Sequence, residues 1–273
     1  MKPEIHYHAL HSSPFDLPTS TPLVLALVGG GGKTSAAFWL ANQFRRQGHC
    51  VFVSTTTKMF LPKETQADHF INLEQEENPL IALSQLHLSD PSITFCYQKR
   101  IKGNNTNDKI KVSGVTAELI DNLKSDSPFT VFIIEADGAK CLPIKAPDRH
   151  EPCIPISSDM VIGVTGAEII HTRATPERIH RWNTFSALTQ CSEGDMIDHR
   201  ILGNLIEHQH GMFKHAPEQA TKIWLINKID LVTNYQQLTQ LAHQVMIQTT
   251  QLDAIWLASM HSRTPIKDVL TRN

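Results

Sequence analysis

At 273 residues, 41% apolar and 19% charged, the chain has the composition of a globular enzyme and the length for one large domain or two small ones. Its net charge of −2 gives no electrostatic basis for nucleic acid or an anionic membrane as the main partner. The opening Met1-Lys2-Pro3-Glu4-Ile5-His6 has no apolar signal-peptide core, no run approaches a membrane span, and five scattered cysteines without a C-x-x-C pair suit a reducing compartment, so a cytoplasmic protein is expected. The 15 histidines gather loosely at His6, His8, His11 and at His208, His210 without familiar ligand spacing, which favours surface histidine over a metal site.

Residues 1–20 mix histidine, serine and proline and read as an irregular arm or a short leading helix; residues 21–273 read as a single nucleotide-binding domain. That domain opens on an apolar strand, Leu23 to Val28, that empties into Gly29-Gly30-Gly31-Gly32-Lys33-Thr34-Ser35. A helix from Ala36 to Gln47 follows. Strand, glycine loop, Lys-Thr and helix make a phosphate cradle, in which backbone N–H groups and a helix N-terminus converge on an anion. Lys33 supplies a mobile charge for the β and γ oxygens, and the Thr34 hydroxyl is a Mg²⁺ ligand. The usual spacing puts a further glycine where Leu27 stands, so the loop is a short one. The plain alternative is a glycine turn that only joins strand to helix.

A second buried strand, Cys50 to Val53, ends in Ser54-Thr55-Thr56-Thr57-Lys58-Met59. Thr56, Thr57 and Lys58 fall where the carboxyl end of a parallel strand faces a ligand crevice, and are either substrate contacts or simply β-branched strand-end residues. Next come a short strand (His69 to Leu73), a helix (Pro79 to Leu88), a strand (Ile93 to Tyr97), an exposed basic hairpin or loop (Lys99 to Lys111) and a helix (Val115 to Lys124).

Thr130 to Ile134 is an unbroken apolar strand followed by Glu135-Ala136-Asp137-Gly138. A carboxylate at the tip of a buried strand needs a cation, and beside a phosphate cradle Mg²⁺ is that cation, with Thr34, Glu135 and Asp137 as its ligands. Beyond it, Pro143 to Pro155 carries four prolines among Lys145, Arg149, His150 and Glu151. This stiff, charged loop suits either a second substrate or a structural crossover. Asp159 to Val164 is another strand. Arg173 is either a phosphate contact or a surface ion-pair residue. A helical subregion is expected around 167–216, then a strand (Lys222 to Ile226), a helix (Tyr235 to Thr249) and a last strand (Ile255 to Leu257).

Asn227-Lys228-Ile229-Asp230 follows the Lys222 strand. In GTP-binding proteins this pattern reads guanine: the acid accepts two hydrogen bonds that adenine does not supply. Alternating strands and helices around a phosphate loop imply an α/β, three-layer P-loop NTPase fold, its mainly parallel sheet covered by helices on both faces.

Taken together, the Gly29–Ser35 loop, Ser54–Met59, Glu135-Ala-Asp-Gly-Ala-Lys140, the Lys145-Ala-Pro and His150-Glu-Pro run and Asn227–Asp230 are similar to the selenium-dependent hydroxylase accessory protein family, the YqeC-like family, over residues 20–260. The resemblance implies a cytosolic P-loop protein that helps mature molybdenum hydroxylases, with such a hydroxylase or its cofactor-maturation proteins as partner. The expected activity is Mg²⁺-dependent hydrolysis of GTP, ahead of ATP, with Lys33, Glu135 and Asp137 as catalytic residues. Two alternatives stand beside it: an ATP-dependent small-molecule kinase or ligase, and a nucleotide-gated scaffold without turnover.

Overall fold

A computed structural model describes residues 5–9, 22–88, 90–101 and 110–272. In chain order its strands begin with β1 (Ile5–Ala9) and β2 (Leu23–Gly29), and helix α1 (Lys33–Arg46) leads to β3 (Val51–Thr55), β4 (Lys58–Phe60) and β5 (His69–Asn72). Then come α2 (Pro79–Ser84), β6 (Ile93–Tyr97), β7 (Lys99–Ile101), β8 (Lys111–Ser113), α3 (Ala117–Leu123), β9 (Val131–Glu135), β10 (Ile144–Lys145), β11 (Met160–Gly166) and β12 (Ile179–His180). The remainder is α4 (Trp182–Thr189), α5 (His199–Glu207), β13 (Thr221–Asn227), α6 (Tyr235–Gln248), β14 (Ala254–Ala258) and β15 (Ile266–Arg272).

Ten strands form one sheet in the order β1-β15-β14-β13-β11-β2-β9-β3-β6-β5. The run from β14 to β5 is parallel throughout, and β15 is antiparallel to both of its neighbours. The central strands are apolar on both faces because both faces are covered. Leu25 and Leu27 of β2 pack with Ala36, Ala37, Leu40 and Phe44 of α1. Alternate residues Val24, Ala26 and Val28 point the other way, into clusters that take in α2 and α3 at one side and α5 and α6 at the other. The mixed α/β architecture with a mainly parallel sheet is therefore the one expected.

Helix starts follow side-chain capping: Asn78, Thr116, Asp198 and Asn234 each accept a backbone N–H at the head of α2, α3, α5 and α6. Helix α1 has no such cap; it begins directly out of the glycine loop, with Gly32 at φ 119°.

Several local expectations need correction. The stretch Ile5–Ala9, expected to be irregular or helical, is a strand at the sheet edge, paired antiparallel with β15; residues 1–4 and 10–20 lie outside the described ones. Strand β15 was not expected at all, since its Lys267 and Asp268 interrupt the apolar pattern. The subregion 167–216 holds two short α-helices, α4 and α5, a 3-10 turn at Ala167–Ile169 and strand β12, and is otherwise irregular. Helix α2 stops at Ser84, four residues early. The proline-rich segment still makes one regular pairing, where Ile144-Lys145 lies parallel to Ile179-His180. Of the basic hairpin or loop expected over Lys99 to Lys111, the flanks β7 and β8 pair antiparallel, with β4 on the other side of β8, and residues 102–109 lie outside the described ones.

Candidate functional site

Strand β2 lies between β9 and β11, so the glycine loop leaves the sheet at its centre. Register sets the depth of the groups around it. Glu135 pairs with Leu27 on one side and Thr55 on the other, and Gly29 pairs with Val164. The carboxyl ends of β2, β9 and β3 thus meet at one level, the place where parallel α/β sheets bind ligands.

The loop is held tightly from behind. Gly30 N–H donates to Val164 O at 2.9 Å and Gly31 N–H to Leu142 O at 3.0 Å. Gly31 has φ 79°, and a Cβ there would lie 2.1 Å from the backbone nitrogen of Gly166. Only glycine satisfies both the left-handed backbone and the contact. With Gly30 and Gly31 so engaged, the N–H groups of Gly32, Lys33, Thr34 and Ser35 form the open part of the cradle. Ala36 N–H makes the first helical bond, to Gly32 O.

Four side chains converge beneath this cradle. Thr34 Oγ1 donates to Glu135 Oε2 at 2.8 Å. Lys33, 4% exposed, donates to Gly29 O at 2.7 Å and lies 3.1 Å from Asp137 Oδ1 and 3.8 Å from Glu135 Oε1. Asp137 Oδ2 accepts from Gly29 N–H at 3.1 Å and meets the Lys145 ammonium at 3.1 Å. Burial acts to lower the Lys33 pKa, but Asp137 and Glu135 outweigh it and hold the ammonium above its usual range. Burial pushes Glu135 up, with Lys33 offsetting only part of the shift. Lys33 therefore stays charged, while burial prevails at Glu135.

These groups open onto a cavity of about 500 Å³. Its floor is Gly30, Gly31, Gly32, Lys33, Thr34 and Glu135, and its walls include Lys58, Phe60, Lys140, Glu151, His180 and Arg181. A hydroxyl and a carboxylate oxygen held at 2.8 Å, beside backbone donors for phosphate, form an all-oxygen donor pair with room for water and phosphate oxygens. That donor set fits Mg²⁺. Among the described residues no group of three or more His, Cys, Asp or Glu side chains converges to hold a metal unaided.

The expected residues divide cleanly. Gly30, Gly31, Gly32, Lys33, Thr34, Glu135, Lys58, Glu151 and Lys228 line the cavity. Asp137, grouped with the metal ligands in sequence, is 1% exposed and stands behind the floor between two lysines, where it positions Lys33 rather than facing the cavity. Lys145 is equally buried and does not line it. Thr56 Oγ1 donates to Cys153 O at 2.7 Å and Thr57 N–H to Thr55 Oγ1 at 3.1 Å, so these hydroxyls brace the strand end. Arg149 and His150 are exposed and lie outside the cavity, as does Arg173, which donates to Gly194 O at 2.9 Å. Gly138 lines the cavity, and no protein atom outside its chain neighbours lies within 4 Å of where its Cβ would stand.

Asn227 is buried against the glycine loop. Its amide donates to Gly31 O at 2.9 Å and accepts from Met260 N–H at 3.1 Å, tying the glycine loop to the ends of β13 and β14. Asp230 is exposed and accepts a hydrogen bond from Ser259 Oγ, while Lys228 pairs with Glu168.

Sequence reasoning missed Phe60, Lys140, His180 and Arg181. Proximity to the cradle comes from the β10–β12 pairing and the β4–β8 pairing, which no local pattern announces. The His180 pKa is lowered to about 4 by burial and by Arg181 and Lys145, so the imidazole is neutral at pH 7.

The YqeC protein family matches residues 25–183, more than half of the chain. The chain belongs to the YqeC family. Among curated proteins it is similar to the Escherichia coli (strain K12) protein named "Uncharacterized protein YqeC", 35% identical over 245 residues, covering 90% of each chain. The matched span takes in the glycine loop, Glu135, the proline-rich segment and Arg181, which is the whole floor of the cavity and most of its walls. No helix among the described residues of this YqeC-family chain is long and apolar enough to cross a membrane.

Proposed function

We propose that the protein is a P-loop nucleotide-binding protein of the cytoplasm that binds Mg²⁺ and a nucleoside triphosphate at the glycine loop and cleaves the γ-phosphate bond, with GTP favoured over ATP. The observation that carries this reading is the Thr34–Glu135 hydrogen bond at 2.8 Å beneath an uncapped helix N-terminus. Thr34 Oγ1 and Glu135 would hold the metal. Mg²⁺ supplies neutralisation of the β and γ phosphate oxygens when bound. The N–H groups of Gly32 to Ser35 bind and orient the phosphates, and the α1 dipole favours their charge. Lys33 delivers a full positive charge to the same oxygens, and Asp137 fixes its direction. Guanine selection is supported by Asn227, whose amide links the loop to the segment carrying Asp230 and Ser259.

Thermal melting with nucleotide is the direct test. Mg²⁺–GTP should raise the melting temperature more than Mg²⁺–ATP, chelation of Mg²⁺ should weaken the effect, and Thr34→Ala should cut apparent affinity at least tenfold. A protein that responds to neither nucleotide would refute the reading; a response to ATP alone would remove the guanine part. A place in maturing selenium-dependent molybdenum hydroxylases, with a hydroxylase or its maturation proteins as partner, belongs to the same proposal and is supported by family resemblance alone.

The kinase or ligase reading has one observation in its favour. The cavity does not end at the cradle but continues to Glu151, His180 and Arg181.

A further inference from the structure

A continuous chain of charges runs from the cradle to this far wall. Lys33 meets Asp137 at 3.1 Å, Asp137 meets Lys145 at 3.1 Å, Lys145 meets Glu151 at 2.7 Å, and Glu151 meets Arg181 at 2.8 Å. Lys145 has three donors, and all three are engaged: on Asp137, on Glu151 and on Gly138 O at 2.8 Å. Buried ion pairs of this kind add little net stability, because desolvation offsets the attraction. What they fix is geometry: the Glu151 carboxylate is registered to Lys33 through three successive ion pairs.

Glu151 is placed at the cavity but not used up by the chain. Both cations bind its Oε2, while Oε1 meets no hydrogen-bond donor among the described residues. Lys145 and Arg181 counter its burial and hold the carboxyl below its usual range, so it stays ionised. Lys58 and Lys140 line the same cavity and have no carboxylate partner among the described residues. Neither cation helps to hold the cradle. The cavity is thus lined by the glycine loop and, apart from it, by two ammonium groups without an ion-pair partner among the described residues and by Glu151, whose Oε1 meets no donor there.

We propose that this wall binds a second substrate: a small molecule with an anionic group, phosphate or carboxylate, taken by Lys58 and Lys140, and a hydroxyl or amine whose proton is accepted in a hydrogen bond by Glu151 Oε1. The inference rests on the nucleotide reading of the cradle and deepens it, since such a molecule has its nucleophile held beside the phosphates by a rigid ion chain.

The test uses the full chain saturated with Mg²⁺ and a non-hydrolysable triphosphate analogue, so that the cradle is filled. Glycerol 3-phosphate and glycerate, the two anion chemistries, and neutral glycerol are then titrated to millimolar concentration, with melting temperature as readout. At least one of the anionic probes should raise it further and glycerol should not. The paired change Lys58→Ser with Lys140→Ser, at exposed positions that leave folding intact, should weaken the anion response at least tenfold while the nucleotide response persists. Absence of any anion response on the loaded protein overturns the proposal, and so does a response that survives the paired change. If the wild type ignores nucleotide altogether, the reading of the cradle fails instead, and the same titrations without nucleotide still judge the wall by whether the paired change abolishes them.

Discussion

Replacing Lys145 by methionine removes the middle of the buried charge chain while keeping the length of the side chain. In the wild type the ammonium is 1% exposed and lies 3.1 Å from Asp137 and 2.7 Å from Glu151. Breaking a buried ion pair from one side costs about 3–5 kcal/mol, because the abandoned charge stays desolvated. Here two carboxylates are abandoned, but Asp137 keeps Lys33 and Gly29 N–H, and Glu151 keeps Arg181. The lower end, about 3 kcal/mol, is therefore expected, which for a chain of this size lowers the melting temperature by roughly 6–12 °C. The loss should depend on pH with a definite sign. Lys145 and Arg181 depress the Glu151 pKa below its usual 4.5, so its contribution is present above that value and disappears as pH falls through the folded-state pKa. The gap between the melting curves of wild type and Lys145→Met should narrow as pH falls below about 4.5, where the Glu151 contribution is lost. A loss under about 1 kcal/mol, or one that stays constant through the acid range, would mean that the chain is solvated and does not hold Glu151 in place.

Three further outcomes follow from the same geometry. Gly31→Ala forces a left-handed backbone and sets a Cβ 2.1 Å from Gly166 N, so a loss of about 3 kcal/mol or more in denaturant unfolding is expected, along with the nucleotide response. Asn227→Ala leaves Gly31 O and Met260 N–H unpaired in a buried place and should cost about 2–4 kcal/mol, with a weaker nucleotide response even though Asn227 does not line the cavity. His180 should titrate by NMR with a midpoint at about 4; a midpoint near 6.5 would show that the wall is open to water.

The parallel core was legible because its signal is local. A strand buried on both faces must be apolar without interruption, and Leu23–Val28 and Val131–Ile134 are. The glycine loop was legible for a related reason: consecutive glycines allow the left-handed backbone and close contacts that Gly29, Gly31 and Gly32 adopt. The edge was not legible. Strands β1 and β15 carry Lys, Asp and His among their apolar residues, and nothing in either sequence says that the two termini pair.

Sequence alone determined that a glycine loop followed by Lys-Thr stands at the carboxyl end of a parallel strand, and that Glu135 ends another such strand. It grouped Asp137 with Glu135 because they are two apart in the chain. Only the tertiary structure separated their roles, since the Ala136–Lys145 backbone folds under the glycine loop and brings Lys145 to Asp137. Likewise only the β10–β12 pairing carries Arg181 to Glu151, 30 residues away, and brings both to the cavity that the glycine loop lines. The physical reason is the same in each case: local patterns encode backbone conformation and burial, whereas a charge network is set by which distant segments share the same buried space.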